Sequence, residues 1–171
     1  SAVINQFKQA NVEVVVDIQL APDFATFWRQ AKQQGYNPKI VVPIKAVAFA
    51  NEAEALGGNL AEGLAIGSWW TPDFPWKSSL TGESCRDLAD AWEKENGSHW
   101  RAPIAIFYEG IEIVADVMER AGSLDKEKIR QALAETDLDT IFGHIKYNDQ
   151  HWGQDALVGA QWVKGKKWPW D

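Results

Sequence analysis

A chain of 171 residues, 46% hydrophobic and 24% charged, is long enough to bury a real core, and no stretch of it approaches the ~20 consecutive apolar residues of a membrane-spanning helix. Its formal charge of −7, with the basic residues scattered except at Lys164, Lys166 and Lys167, argues against a nucleic-acid partner, which needs clustered Lys and Arg. The single cysteine, Cys85, excludes an internal disulfide and a cysteine-based metal site, and it fits the cytoplasm or the periplasm equally.

The start, Ser1-Ala-Val-Ile-Asn-Gln-Phe-Lys8, lacks the basic-then-apolar layout of a secretory leader, so a leader is expected either to have been removed or to belong upstream of this start. Ile4 and Phe7 recur three apart and give way to Val12-Glu-Val-Val-Val16, a helix feeding a buried strand of β-branched residues. Phe24, Phe27, Trp28 and Ala31 share one face of a helix that stops at Gly35, and Ile40-Val-Val42 is the next strand, closed by Pro43. A short helix over residues 52–56 ends at Gly57-Gly58, and residues 63–70 read as a strand rich in apolar and aromatic side chains. Alternation of this kind, with crossovers of a dozen residues or more, predicts a doubly wound parallel α/β sheet.

Composition shifts at Thr71-Pro-Asp-Phe-Pro-Trp-Lys-Ser-Ser-Leu-Thr-Gly82, a loop that marks the best boundary in the chain. Beyond it Cys85, Leu88, Ala89 and Trp92 define a helical face ending at Gly97. Ile104, Phe107, Ile111, Val114, Ala115 and Met118 predict a long buried stripe that stops at Gly122, and a further helix runs from Asp125 to Thr136. Two strand-like runs, 143–147 and 156–163, flank a polar loop, and Lys164-Gly165 is placed as a hairpin turn before Trp168.

Several of these pieces share one likeness. Gln6-Phe-Lys-Gln-Ala-Asn-Val-Glu-Val-Val-Val16, residues 24–35, Leu60-Ala-Glu-Gly-Leu64, Tyr108-Glu-Gly-Ile-Glu-Ile-Val-Ala-Asp-Val-Met-Glu-Arg-Ala-Gly122, residues 143–149 and Gln161-Trp162 together resemble the carboxy-terminal part of a type I periplasmic solute-binding protein of ABC transporters, the leucine/isoleucine/valine-binding family. The likeness runs over nearly the whole chain. It implies a two-lobed α/β fold of doubly wound parallel sheets of which only part of each lobe is present: residues 1–67 from the second lobe, 68–148 the helical part of the first lobe, and 149–171 the return to the hinge and second lobe. The lobe crossings of that family would fall near residues 67–70 and 148–153. Residues 68–148, lacking the first lobe's sheet, are expected to show an apolar face unless the remaining amino-terminal part of the same protein or a complementary chain covers it.

The resemblance implies a function that is physical: an amino-acid-like or small carboxylate solute bridges two hinged lobes as the small-molecule ligand, and an ABC permease in the membrane reads the closed form. No catalysis, cofactor or metal is implied, and the location would be periplasmic, with the signal segment outside this sequence. The ligand-facing positions should lie in loops at the carboxyl ends of the strands. These are residues 17–22, with Gln19 and Ala21, residues 44–51, with Lys45 and Phe49, and the crossing with Trp69 and Trp70. Lys45 falls where amino-acid-binding relatives carry a glutamate for the ligand ammonium. The reversed sign implies an anionic or neutral ligand end, while a solvent-facing loop lysine is the bland alternative. Trp69 and Trp70, with Trp76 nearby, suit an aromatic cleft, whereas Trp28 and Trp92 read as core. Tyr108 stands near the cleft mouth by resemblance, with half-buried packing as its other reading.

Other motifs weigh little. Ser123-Leu-Asp-Lys126 matches an acyl-serine pattern but sits in an interhelical turn, where capping explains it. His99, His144 and His151 lack metal-ligand spacing, and no pair among Glu52, Glu54, Asp73 and Glu83 stands out as acid and base. Asn96-Gly-Ser98 is a sequon that matters only in a secreted eukaryotic protein. A sensor domain of the same fold, holding an effector, is the alternative function, and an α/β hydrolase a more distant one, since fold alone does not assign activity.

Overall fold

The computed structural model describes residues 2–171. In chain order the elements are α1 (Ala2–Gln9), β1 (Val14–Asp17), α2 (Ala21–Gln33), β2 (Ile40–Pro43), α3 (Ala50–Leu56), β3 (Ala65–Ser68), α4 (Cys85–Asn96), α5 (Pro103–Ala121), α6 (Lys126–Ala134), β4 (Asp137–Thr140), β5 (Gly143–Lys146) and β6 (Val158–Gln161). They fall into two compact units, the first reaching to Ser68 and resuming at Val158–Asp171, the second comprising Trp69–Leu157.

In the first unit β1 and β2 are parallel, in register from Val14↔Ile40 to Asp17↔Pro43. Alternation along the strands splits their side chains between two faces. Val15 and Val41 are buried, together with Phe24, Trp28 and Ala31, the apolar stripe of α2, whose Phe24 and Trp28 rings stack 6.1 Å apart. On the opposite face Val14, Val16 and Ile40 are half or more exposed. A parallel sheet of continuous β-branched residues is built to be covered on both sides, and here one cover is supplied.

Three ring donors close this core. Trp28 Nε1 donates to the Leu60 carbonyl at 2.7 Å, Trp162 Nε1 to that of Val47 at 2.7 Å, and the Tyr36 hydroxyl to that of Val12 at 2.9 Å. Each indole or phenol buries its ring while meeting a loop carbonyl that would otherwise be orphaned. β3 and β6 pair antiparallel, Ala65↔Gln161 through Ser68↔Val158, so the strand residues at both unit boundaries lie side by side. The expected tight turn at Lys164-Gly165 is a wider loop, closed by bridging of Lys164 with Trp170, over whose ring the Lys164 ammonium sits at 3.8 Å.

The second unit is helical with one hairpin. Ser84 caps α4, accepting from the Asp87 amide, while the Asp87 carboxylate accepts from the Ser84 amide at 2.9 Å, a reciprocal cap that holds the first turn. Pro103 opens α5, and Gly122, at φ 54°, closes it in the left-handed conformation that glycine adopts without a Cβ clash. Asp125 caps α6.

Two expectations are corrected here. The last helix stops at Ala134, and residues 137–140 form the strand β4, paired antiparallel with β5. The long stripe on α5 is also open: Phe107 is 77% exposed and Ile111 71%, with Val114 and Met118 exposed beside them. The buried face holds Ala105, Glu109, Glu112, Ile113 and Val117. The reason lies in the hairpin tip, where Ile141 and Phe142 are buried and their peptide groups need partners that an aliphatic face cannot give.

Candidate functional site

The carboxyl ends of β1 and β2 bring two loops together. The Ile44 amide donates to the Asp17 carbonyl at 2.9 Å, so Ile18 and Ile44 leave their strands as neighbours. The first loop is pinned at once, since Asp17 Oδ1 accepts from the Gln19 amide at 2.6 Å and α2 begins at Ala21. The second is pinned at both ends. Ala46 and Val47 are buried, and the Glu52 carboxylate accepts from the Ala48 and Phe49 amides at 2.8 and 3.1 Å. Lys45 lies between these anchors, exposed, and among the described residues it makes no ion pair or hydrogen bond.

Among the described residues, the character of this edge is apolar with Lys45 as its unpaired cation. Ile18 is 74% exposed, and Leu20 and Ile44 are exposed beside it. Gln19 is exposed and uses its backbone rather than its amide; Ala21 and Phe49 are half-buried at the starts of α2 and α3. Such a surface can hold an apolar body and attract a negative end. The first unit also has a concavity of about 300 Å³ lined by Phe7, Tyr36, Pro38 and Lys39, but it lies at the amino ends of the strands, away from these loops.

Trp69 is 41% exposed at the unit boundary. Trp70 is fully buried, donating its indole N–H to the Ile141 carbonyl at 3.0 Å and packing edge-on to Trp100 at 5.6 Å. Its place is the core of the second unit. Tyr108 is half-buried; its hydroxyl donates to Glu83 and lies 3.1 Å from Thr81 Oγ1, so it ties α5 to the loop before α4. Burial and the neighbouring Glu83 raise its pKa. Lys45, Gln19, Ala21 and Phe49 are thus on one edge of the first unit, while Trp69, Trp70 and Tyr108 belong to the second.

Ile18, Leu20 and Ile44 lie within the loops expected to face a ligand, 17–22 and 44–51, but their apolar side chains were not picked out individually. Glu109 and Glu112 were also passed over, two buried carboxylates whose signal was charge at i, i+3 in the otherwise uncharged first part of α5. Among the described residues no three His, Cys, Asp or Glu side chains converge as metal ligands would.

Comparison with known proteins gives the context for this edge. The family model described as periplasmic binding protein matches residues 1–167. A leucine-, isoleucine-, valine-, threonine- and alanine-binding protein of Pseudomonas aeruginosa is 26% identical over 154 residues, covering 88% of this chain and 38% of that protein. Among solved structures, the branched-chain amino acid transporter substrate binding protein LivJ of Streptococcus pneumoniae, in complex with isoleucine, superposes with a TM-score of 0.77 at 14% identity, covering 94% of this chain and 44% of LivJ. A solute binding protein of an ABC transporter from Rhodopseudomonas palustris, in complex with 3,4-dihydroxybenzoic acid, gives 0.71 at 16% identity, covering 99% and 46%. The chain therefore spans less than half the length of each of these proteins.

Proposed function

This chain belongs to the periplasmic binding protein family, and from that premise we propose that it is the carboxy-terminal part of the ligand-binding component of an ABC importer. In this reading the first unit belongs to the second lobe, the second unit is the helical part of the first lobe, and the two hinge crossings fall after β3 and in the stretch before β6. An amino-terminal polypeptide completes the cleft. A membrane permease is the downstream partner, and the periplasm is the working compartment. The function is capture: the ligand contacts both lobes in the closed arrangement only, so closure is stabilised by the difference in affinity between the two states.

The observation that carries the reading is the edge formed by exposed Ile18, Leu20 and Ile44 around unpaired Lys45, at the carboxyl ends of parallel strands where open α/β sheets bind their ligands. A lysine there attracts a carboxylate and repels an ammonium. The ligand class is accordingly a small carboxylate with an aromatic or branched apolar body, with Trp69 exposed at the crossing as a candidate ring contact. The relatives divide along this line, since one structure holds isoleucine and another 3,4-dihydroxybenzoate. The test is a calorimetric or thermal-shift screen of the complete protein against aliphatic amino acids, aromatic acids and branched carboxylates. Stabilisation by carboxylates lacking an α-amino group supports the assignment; stabilisation confined to zwitterionic amino acids overturns it.

A further inference from the structure

The tip of the β4–β5 hairpin is buried in the second unit, and α5 reads it with two carboxylates. Glu112 Oε2 accepts from the Ile141 amide at 3.0 Å; the Ile141 carbonyl accepts from Trp70 Nε1 at 3.0 Å and from Cys85 Sγ at 3.3 Å. The Phe142 amide donates to Thr140 Oγ1 at 3.1 Å. Thr140 Oγ1 then lies 2.7 Å from the Gly143 carbonyl and 3.1 Å from Glu109 Oε1. Two acceptors face one hydroxyl, and a hydroxyl carries one proton. Directed to the nearer carbonyl, that proton leaves Glu109 Oε1 facing an oxygen lone pair.

We propose that Glu109 is a proton-binding site: protonated, it donates to Thr140 Oγ1, Thr140 donates to the Gly143 carbonyl, and the hairpin tip is latched to α5. Every donor and acceptor around Thr140 is then used once. With Glu109 ionised, one link must break.

The surroundings favour the protonated state. Glu109 is 9% exposed and Thr140 1%. Burial, and then the negative charges of Asp155 in the loop after β5 and Glu112 on α5 itself, push the Glu109 carboxyl up to about 7, against the opposing hydrogen bond from Thr140. Tyr147 at the end of β5 also lies within its field. On the Glu112 side the facing groups are Cys85 on α4 and Tyr108 on α5. None of these is a cation. Glu112 Oε1 is buried without a hydrogen-bond partner among the described residues, so Glu112 does not offset charge on Glu109.

The sign follows from linkage. A carboxyl with a raised folded-state pKa contributes stability that is fully present below the usual carboxylate range and is lost as the pH rises through about 7. The latch therefore loosens on the alkaline side of that value.

The test is a pH titration of the intact protein labelled with ¹³C at glutamate side-chain carboxyls, followed by NMR together with the backbone amides of Phe142 and Gly143. One glutamate titrating with a midpoint near 7, with those two amides moving at the same midpoint, is the expected result. In Glu109→Gln that titration disappears and both amides become independent of pH between 5 and 8. All glutamate midpoints below about 5.5, or a midpoint near 7 that persists in Glu109→Gln, overturns the proposal. Should Glu109→Gln fail to fold, Thr140→Val serves instead. It removes the hydroxyl and must abolish the coupling between the carboxyl titration and the Phe142 and Gly143 amides; unchanged coupling overturns the proposal as well. The result is independent of which ligand the protein captures.

Discussion

Among the described residues Lys45 has no partner of its own, and its place is fixed by its neighbours. Ala46 and Val47 are buried on one side, and Glu52 fixes the Ala48 and Phe49 amides beyond them. Lys45→Glu therefore changes the sign of the edge with little effect on folding, because a surface substitution without partners usually stays within about 0.5 kcal/mol. A charge-assisted contact to a carboxylate is worth roughly 1.5–3 kcal/mol, so the variant of the complete protein is expected to bind its carboxylate ligand about 10–100-fold more weakly by calorimetry. Unchanged affinity would remove Lys45 from the site. Trp70→Phe gives the opposite profile. The donor to the Ile141 carbonyl is lost and the smaller ring leaves a void in the core, so denaturant unfolding should show a loss of about 2–5 kcal/mol, with ligand selectivity unaltered. At this scale Lys45 was picked out only by resemblance, as the place where amino-acid-binding relatives carry a glutamate, and the sequence could not separate Trp69 from Trp70. Adjacent residues at the end of a strand point opposite ways, and which one turns inward depends on where Ile141, 71 positions away in sequence, delivers its carbonyl.

Helices were legible because their ends are written locally. Ser84 with Asp87, Pro103 with Gly122, and Asp125 before α6 are caps that act within a few residues. Strand β4 was not legible. Asp137-Leu-Asp-Thr140 carries little β propensity, and its turn, Ile141-Phe142, has none of the polar turn chemistry that marks a hairpin. The strand exists because its outer carboxylates pair across the ladder, Asp139 with His144 at 2.7 Å and Asp137 with Lys146, while the apolar tip is taken into the core. Gly143 completes the arrangement at φ 119°, with the Trp76 ring 3.4 Å from where a Cβ would stand. Gly143→Ala puts a side chain on a backbone conformation that L residues rarely adopt and is expected to cost about 1–3 kcal/mol, measurable as a fall in the denaturant midpoint with an unchanged slope. The α5 face was misread for a related reason: hydrophobic periodicity reports that a face will be covered, not whether this stretch of chain supplies the cover.

Two apolar faces stand open at the scale of the whole molecule, each in its own unit: Val14, Val16 and Ile40 on the parallel pair, and Phe107, Ile111, Val114 and Met118 along α5. The chain matches the periplasmic binding protein family over residues 1–167 while spanning less than half of its compared relatives; fold class and family were readable from alternation and motif order, and the resemblance gave an open apolar face on residues 68–148, whereas the open face of the parallel pair was not foreseen. We expect polypeptide equivalent to the amino-terminal part of the family to cover both faces. The consequence is a conditional effect of one substitution. Ile111→Ser should leave the thermal stability of the 171-residue chain within about 0.5 kcal/mol and improve its solubility, because an exposed position loses no packing. In the complete protein the same change should cost about 2–4 kcal/mol, the range for truncating a buried aliphatic side chain. Analytical ultracentrifugation of the 171-residue chain should show self-association that the substitution reduces, and addition of the amino-terminal polypeptide should suppress it. A monodisperse, ligand-competent chain, with Ile111→Ser equally mild in both contexts, would mean that the α5 face is a finished surface and that the two units need no completion.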